Sequence, residues 1–235
     1  MILAEPDLGT AISLVVVLLA VLLISGTPVP TLAAGTSIAV ALGLVAIWFE
    51  PYRRARLFSF IDPWKDPQGA GFQTVQALIS FGSGGFLGAG LGHGVAKINY
   101  LPEAHTDMIF AVIGEELGLL GVTAVIAAYG AFAYAGLRVA LACKDPFGKR
   151  LAAGIVGLVC GQAVINLAAV LGLAPLTGIP LPFISYGGSS LVVGLLGVGI
   201  LLNIAGRHGA AEAKRAVPDR SRRDGGARRA VAGGR

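Results

Sequence analysis

The chain alternates long uncharged apolar runs with short polar interruptions. A helix that crosses a bilayer needs roughly 17–25 predominantly apolar residues. Five runs reach that length, at about 8–25, 31–49, 108–137, 151–173 and 189–205. They predict an all-α fold, a polytopic transmembrane helical bundle of five spans. A Gly26–Pro30 turn with two prolines separates the first two runs. The first run lacks a basic leader and a cleavage site, so it is not a signal peptide. Residues 50–107 are too many for a plain connection and predict a large loop. A membrane domain over 1–206 and a tail over 207–235 follow.

Composition narrows the class. Hydrophobic residues make up 55% of the 235 and charged residues 13%, and mean hydropathy is +0.77. A soluble globule carries about 25% charged residues. A soluble enzyme, a disordered protein, a disulfide scaffold and a fibrous protein are thereby excluded. The 35 glycines follow no collagen period and suit closely packed membrane helices. Cys143 and Cys160 form no CxxC pair, and Cys160 reads as a small buried hydrophobe.

The net charge of +5 is unevenly placed. From Arg207 to Arg235 nine basic residues face three acidic ones, a balance of +6; the preceding residues hold nine and ten, a balance of −1. The tail is poor in large apolar residues and predicts disorder. It reads as a cytoplasmic anchor near anionic lipid, with no nucleic-acid role. A second basic cluster, Arg138, Lys144, Lys149 and Arg150, lies two spans earlier and so on the same side. The positive-inside rule makes that side cytoplasmic. Residues 50–107, residues 174–188 and the N-terminus then lie outside. Arg53, Arg54 and Arg56 stand against the rule, in a loop long enough to escape it. A chain that begins outside and enters at once on Asp7-Leu8-Gly9 looks like the middle of a longer protein, so a fragment or a late start is expected.

The long loop carries the candidate chemistry. Its half-apolar stretch Phe72–Leu91 predicts a short amphipathic or re-entrant helix at the outer membrane face. Leu101-Pro-Glu-Ala-His-Thr-Asp107 ends where the third run starts. Pro102 stops a helix, and Thr106 or Asp107 is a candidate cap for the next one, worth about 1 kcal/mol. The other reading of Asp107 is a general base, a carboxylate at the water–lipid boundary. Glu115 and Glu116 lie about two turns deeper, where acids are expensive. They read equally as a buried hydrogen-bonded network and as direct participants. The glycine-rich Gly82–Gly94 follows no strand and precedes no GK[ST], so it is no nucleotide loop. His93 and His105 lack an HExxH context. No GxSxG elbow occurs. The second outer stretch, Pro175–Ser190, holds three prolines and three glycines. It is a rigid turn or a cavity wall with Ser185, Ser189 and Ser190 as hydrogen-bond donors.

Four strings carry a resemblance: Glu5-Pro-Asp-Leu-Gly-Thr10, Tyr100-Leu-Pro-Glu-Ala-His-Thr-Asp107, Gly114-Glu-Glu-Leu-Gly118 and Leu181-Pro-Phe-Ile-Ser-Tyr-Gly-Gly-Ser-Ser190. Over about residues 4–206 the chain resembles the SEDS family of FtsW, RodA and SpoVE. Glu50-Pro-Tyr-Arg-Arg54, Asp62-Pro-Trp-Lys-Asp-Pro67 and Ala104 look closer to FtsW than to RodA. The resemblance implies a ten-span fold of which this chain is the last half. It implies a peptidoglycan glycosyltransferase of the bacterial cytoplasmic membrane that polymerises lipid II outside, in septal wall synthesis and cell division. A class B penicillin-binding protein and other divisome proteins would be its partners. Asp107 would be catalytic and would take the proton of the acceptor sugar's 4-hydroxyl. That oxygen would attack the anomeric carbon, with inversion, and undecaprenyl pyrophosphate would leave. Lys97, Arg53 or Arg54 would meet the leaving phosphates, aided by a divalent cation, Mg²⁺ or Mn²⁺, of unspecified ligands. Glu103, His105, Thr106, Glu115, Glu116 and the three serines complete the substrate-binding candidates. Asn99 stands where FtsW proteins often have Glu, which leaves an acidic role there open. A lipid II flippase, an elongation-type polymerase and an inactive divisome scaffold stay as alternatives.

Overall fold

The computed structural model describes residues 8–96, 101 and 104–216, and these are all-helical, without strands. In chain order they form α1 (Leu8–Ile24), α2 (Val29–Phe49), α3 (Pro51–Ile61), α4 (Phe72–Gly84), α5 (Ile109–Ala142), α6 (Pro146–Val170) and α7 (Gly188–Ala216), with a 3₁₀ turn at Pro63–Lys65. Among them α2, α5, α6 and Gly188–Arg207 of α7 are long and apolar enough to cross a membrane. The 17 residues of α1 span about 26 Å at 1.5 Å per residue, near the lower limit for a crossing.

Local chemistry sets the ends. Asp145 caps α6, its carboxylate accepting from the Gly148 amide at 2.8 Å, with Pro146 at the first helical position. That signal starts the helix five residues before the predicted run. At the other end Gly172 N donates to Ala169 O and Leu173 N to Ala168 O. This is the paired bond pattern of a Schellman stop, which ends α6 at Val170 and not at residue 173. The last helix departs further from expectation. It continues to Ala216, ten residues into the segment expected to be disordered, because Ala210-Ala-Glu-Ala-Lys-Arg-Ala216 consists of strong helix formers.

α5 and α6 form an antiparallel pair, with α1 packed on α6, α4 on α5, and α7 against both central helices. One core gathers Ala77 of α4, Met108, Phe110 and Val112 near the start of α5, Leu167 and Val170 of α6, and Leu181. A smaller one at the far end joins Ala140, Ala152, Val156 and Leu201. Glycine lets α1 approach α6. A Cβ at Gly161 would lie 2.5 Å from Val16 Cγ1, and one at Gly157 2.6 Å from Ala20 Cβ. Gly161→Leu is therefore expected to overpack this seam by about 1–3 kcal/mol. The thermal midpoint in detergent should fall, whereas Gly199→Ala, with nothing within 4 Å, should hold or raise it.

The topology brings the start of α1, α5 and α7, the end of α6 and both predicted outer loops to one end of the bundle. Arg138, Lys144, Lys149 and Arg150 fall at the other.

Candidate active site at the loop end of the bundle

The loop end is organised by a break in α5. Gly118 has φ 62° and ψ −157° inside the helix, a region essentially reserved for glycine. The break disrupts the helical bonds from residues 119 and 120 back to 115 and 116. The glycine-rich segment after α4 supplies replacements. Ala89 N donates to Glu115 O at 2.9 Å and Gly90 N to Glu116 O at 3.0 Å, while Leu119 N donates to Gly85 O at 3.0 Å and Leu120 N to Phe86 O at 3.4 Å. Two donors and two acceptors are exchanged, so the break leaves these backbone groups satisfied. Interrupted helices at membrane depth persist only under that condition.

The same segment takes up the two acids. Glu115 is 6% exposed, and its carboxylate accepts from Val95 N at 2.9 Å and Ala96 N at 3.1 Å. Glu116 accepts from Gly92 N at 3.1 Å. Of the two readings of Glu115, the hydrogen-bonded network is the one whose partners are visible. Replacing a carboxylate acceptor by a neutral one is expected to cost about 1–2 kcal/mol. Glu115→Gln should thus lower stability and speed amide exchange at Val95 and Ala96, leaving exchange in α6 unchanged.

Asp107 stands one residue before the N-cap of α5. Met108 holds the cap position, without a side-chain capping bond, so neither Thr106 nor Asp107 takes the cap role open to it. Asp107 is half-buried, and its Oδ1 accepts from Thr106 Oγ1 at 3.3 Å. Its backbone is held from α6: Asn166 Nδ2 donates to Asp107 O at 2.7 Å and to Ile179 O at 2.8 Å. Next to it, exposed His105 accepts at its carbonyl from Tyr186 N at 2.9 Å, and the two rings meet edge-on at 5.9 Å. The tyrosine hydroxyl of Tyr129, in α5, donates to Pro182 O. Arg56 Nη1 reaches across from α3 to Leu176 O at 3.2 Å. The second loop is thereby tied to α3, α5, α6 and the His105–Asp107 turn. Within it, Phe183 adopts φ 67°, a left-handed backbone costing roughly 1–2 kcal/mol, with its ring set against Phe132 at 6.3 Å.

The remaining candidates separate. Ser185 spends its hydroxyl on the turn, accepting from Leu181 N at 2.7 Å. Ser189 and Ser190 are exposed in the first turn of α7. Arg54 lies 6.0 Å from the Trp48 ring. Lys97 and Glu103 lie outside the described residues, as does the side chain of Arg53. A cavity of about 280 Å³ opens between α1, α6 and the second loop, lined by Thr10, Ser13, Gln162 and Ile179 among others. Among the described residues no group of three His, Cys, Asp or Glu side chains gathers as a cation site. The described donors thus do not fit a divalent cation. Sequence reasoning passed over Asn166, Tyr129 and Arg56 as ties. Asn166 had a signal, since an amide within an apolar run is expensive in a membrane and calls for a partner.

Long apolar helices with an interrupted central span and two loops locked at one end define a multi-pass α-helical membrane protein. Residues 1–209 match the family described as cell cycle protein, FtsW/RodA/SpoVE, and the chain belongs to that family. A probable peptidoglycan glycosyltransferase FtsW of Geobacter sulfurreducens is 47% identical over 206 residues, which are 88% of this chain and 55% of the relative. Stage V sporulation protein E of Bacillus subtilis is 40% identical over 211 residues, 87% of this chain and 56% of that protein. The chain thus spans about half the length of these curated relatives. Among solved structures, a chain from a study of how a peptidoglycan synthase complex coordinates polymerization and crosslinking superposes with TM-score 0.71 at 31% identity, covering 88% of this chain and 58% of that one. An aspartate-to-alanine mutant of Thermus thermophilus RodA superposes with TM-score 0.56 at 28% identity, covering 87% and 51%.

Proposed function

We propose that this chain forms the catalytic half of a peptidoglycan glycosyltransferase that polymerises lipid II in septal wall synthesis, with Asp107 as general base. The observation that carries the reading is the setting of Asp107. Its carboxylate stands half-buried where both loops converge, outside the cap position of α5, on a backbone held from a neighbouring helix. A general base has to be held at a fixed place within reach of its proton. The names of the relatives as probable peptidoglycan glycosyltransferases support the reaction class.

In the proposed reaction Asp107 accepts the proton of the acceptor sugar's 4-hydroxyl as its oxygen bonds to the anomeric carbon of the donor. The bond from that carbon to undecaprenyl pyrophosphate breaks, and the pyrophosphate departs with the electron pair. One displacement inverts the anomeric centre. Lys97 and Arg53 or Arg54 are the cations proposed to meet the leaving phosphates. A class B penicillin-binding protein and other divisome proteins are the proposed partners, and a divalent cation of unspecified ligands is a proposed aid. The loop end faces outward and the basic end the cytoplasm, by the positive-inside rule.

The test is polymerisation by the full-length protein purified in detergent, given lipid II. Glycan strands on a gel support a polymerase. A flippase has no product in detergent, so well-folded protein that leaves lipid II unchanged would count against the reading.

A further inference from the structure

We infer that Asn166 is the positioning residue of this site: one buried amide nitrogen sets where Asp107 stands relative to the second loop. The inference rests on the function proposed above and deepens it.

Asn166 lies in α6, 2% exposed. Its Nδ2 uses both hydrogens, on Asp107 O at 2.7 Å and Ile179 O at 2.8 Å. Those carbonyls belong to different loops, 59 and 13 residues away in sequence. A neutral primary amide suits this task. A hydroxyl has one hydrogen, a carboxylate none, and an ammonium would carry a buried charge. The side chain is sited where few alternatives exist. Ala163, Leu167 and Val170 around it on α6 are buried and apolar, so removing the amide leaves the buried Ile179 carbonyl without its donor and frees the part-buried Asp107 carbonyl from α6. Asn166 Oδ1 and Thr177 Oγ1 are both buried without a hydrogen-bond partner among the described residues. The amide is thus oriented by what it donates. Each tie fixes one loop to α6, and together they fix the loops to each other. A separate contact between the turn and the second loop acts at His105, through Tyr186 N. Asn166 bonds the backbone of Asp107 from another helix.

A positioning residue changes turnover more than substrate affinity. Asn166→Leu keeps the branched outline, with added bulk, and removes both donors; Asn166→Ser serves if the leucine variant does not fold. Two readouts apply, taken on protein with an unchanged elution profile in detergent. The first is amide exchange. It should rise in the segments 104–110 and 177–186 and stay unchanged in 85–96, which has its own ties to α5. The second is lipid II polymerisation, with kcat expected to fall at least tenfold and KM to stay within about threefold. Unchanged exchange around Asp107 overturns the inference even where the enzyme reading holds. Wild-type kcat in either folded variant, or a raised KM with kcat intact, also overturns it. Altered exchange in a protein whose wild type makes no glycan leaves the tie standing and defeats the function proposed for the site.

Discussion

Asp107→Asn is expected to reduce lipid II polymerisation by at least about a hundredfold, the lower bound of what a positioned general base contributes. The loss should appear in kcat. KM should move little, because the substitution is isosteric and the residue is half-buried at the loop end. The fold should survive it for two reasons. The cap position of α5 belongs to Met108 and not to Asp107. Its tie to α6 runs through the backbone carbonyl, which the substitution leaves in place. Unchanged thermal midpoint and elution, with turnover collapsed, is the expected pair of results. Asp107→Glu retains a carboxylate but displaces it by one methylene, and should lie between wild type and Asn. Turnover equal to wild type in Asp107→Asn contradicts the assigned role.

The largest effect on the fold is expected at Gly118. Its φ of 62° with ψ −157° costs a residue with a Cβ about 1–3 kcal/mol. The added carbon would also sit 2.4 Å from Gly88 N and 2.7 Å from Phe86 O. Both are backbone atoms of the segment that repairs the broken helix, and neither has a side chain's freedom to rotate aside. Gly88 faces the same problem in reverse, at φ 81° with its Cβ position 2.1 Å from Glu116 O. Gly118→Ala should therefore displace the segment 85–96 and release the four exchanged backbone bonds with it. A loss of more than about 3 kcal/mol is expected, since strain and overpacking add. Gly130→Ala, on the same helix with nothing within 4 Å, should be neutral or stabilising by up to about 1 kcal/mol. Comparing thermal midpoints of the two variants in detergent checks the contrast.

What was legible in the sequence divides along a physical line. A bilayer demands long apolar helices, and that demand writes itself into consecutive residues, so the all-α polytopic class and the cores of the helices could be read directly. Helix ends shifted wherever a local signal lay beyond the apolar run. Asp145-Pro146 began α6 early, and the alanine-rich stretch to Ala216 prolonged α7. The break in α5 was not legible. Gly118 looks like any glycine within a helix, and its meaning depends on a partner segment some thirty residues away in sequence, which no local pattern announces. The same segment decides Glu115 and Glu116, whose carboxylates face backbone amides of residues 92–96. For Asp107 the residues alone left base and cap side by side. The resemblance favoured the base, and the geometry gave the cap position to Met108. Asn166 was visible as an isolated amide, but its two partners come from loops that only the fold brings together.

The central claim is that the protein joins lipid II units with its own loop-end site. The most direct measurement is the product formed when the purified full-length protein and its Asp107→Asn variant are each given lipid II in detergent. The account predicts a ladder of glycan strands from the wild type and unreacted lipid II from the equally folded variant. Ladders of equal intensity from both, or none from well-folded wild type, would contradict it.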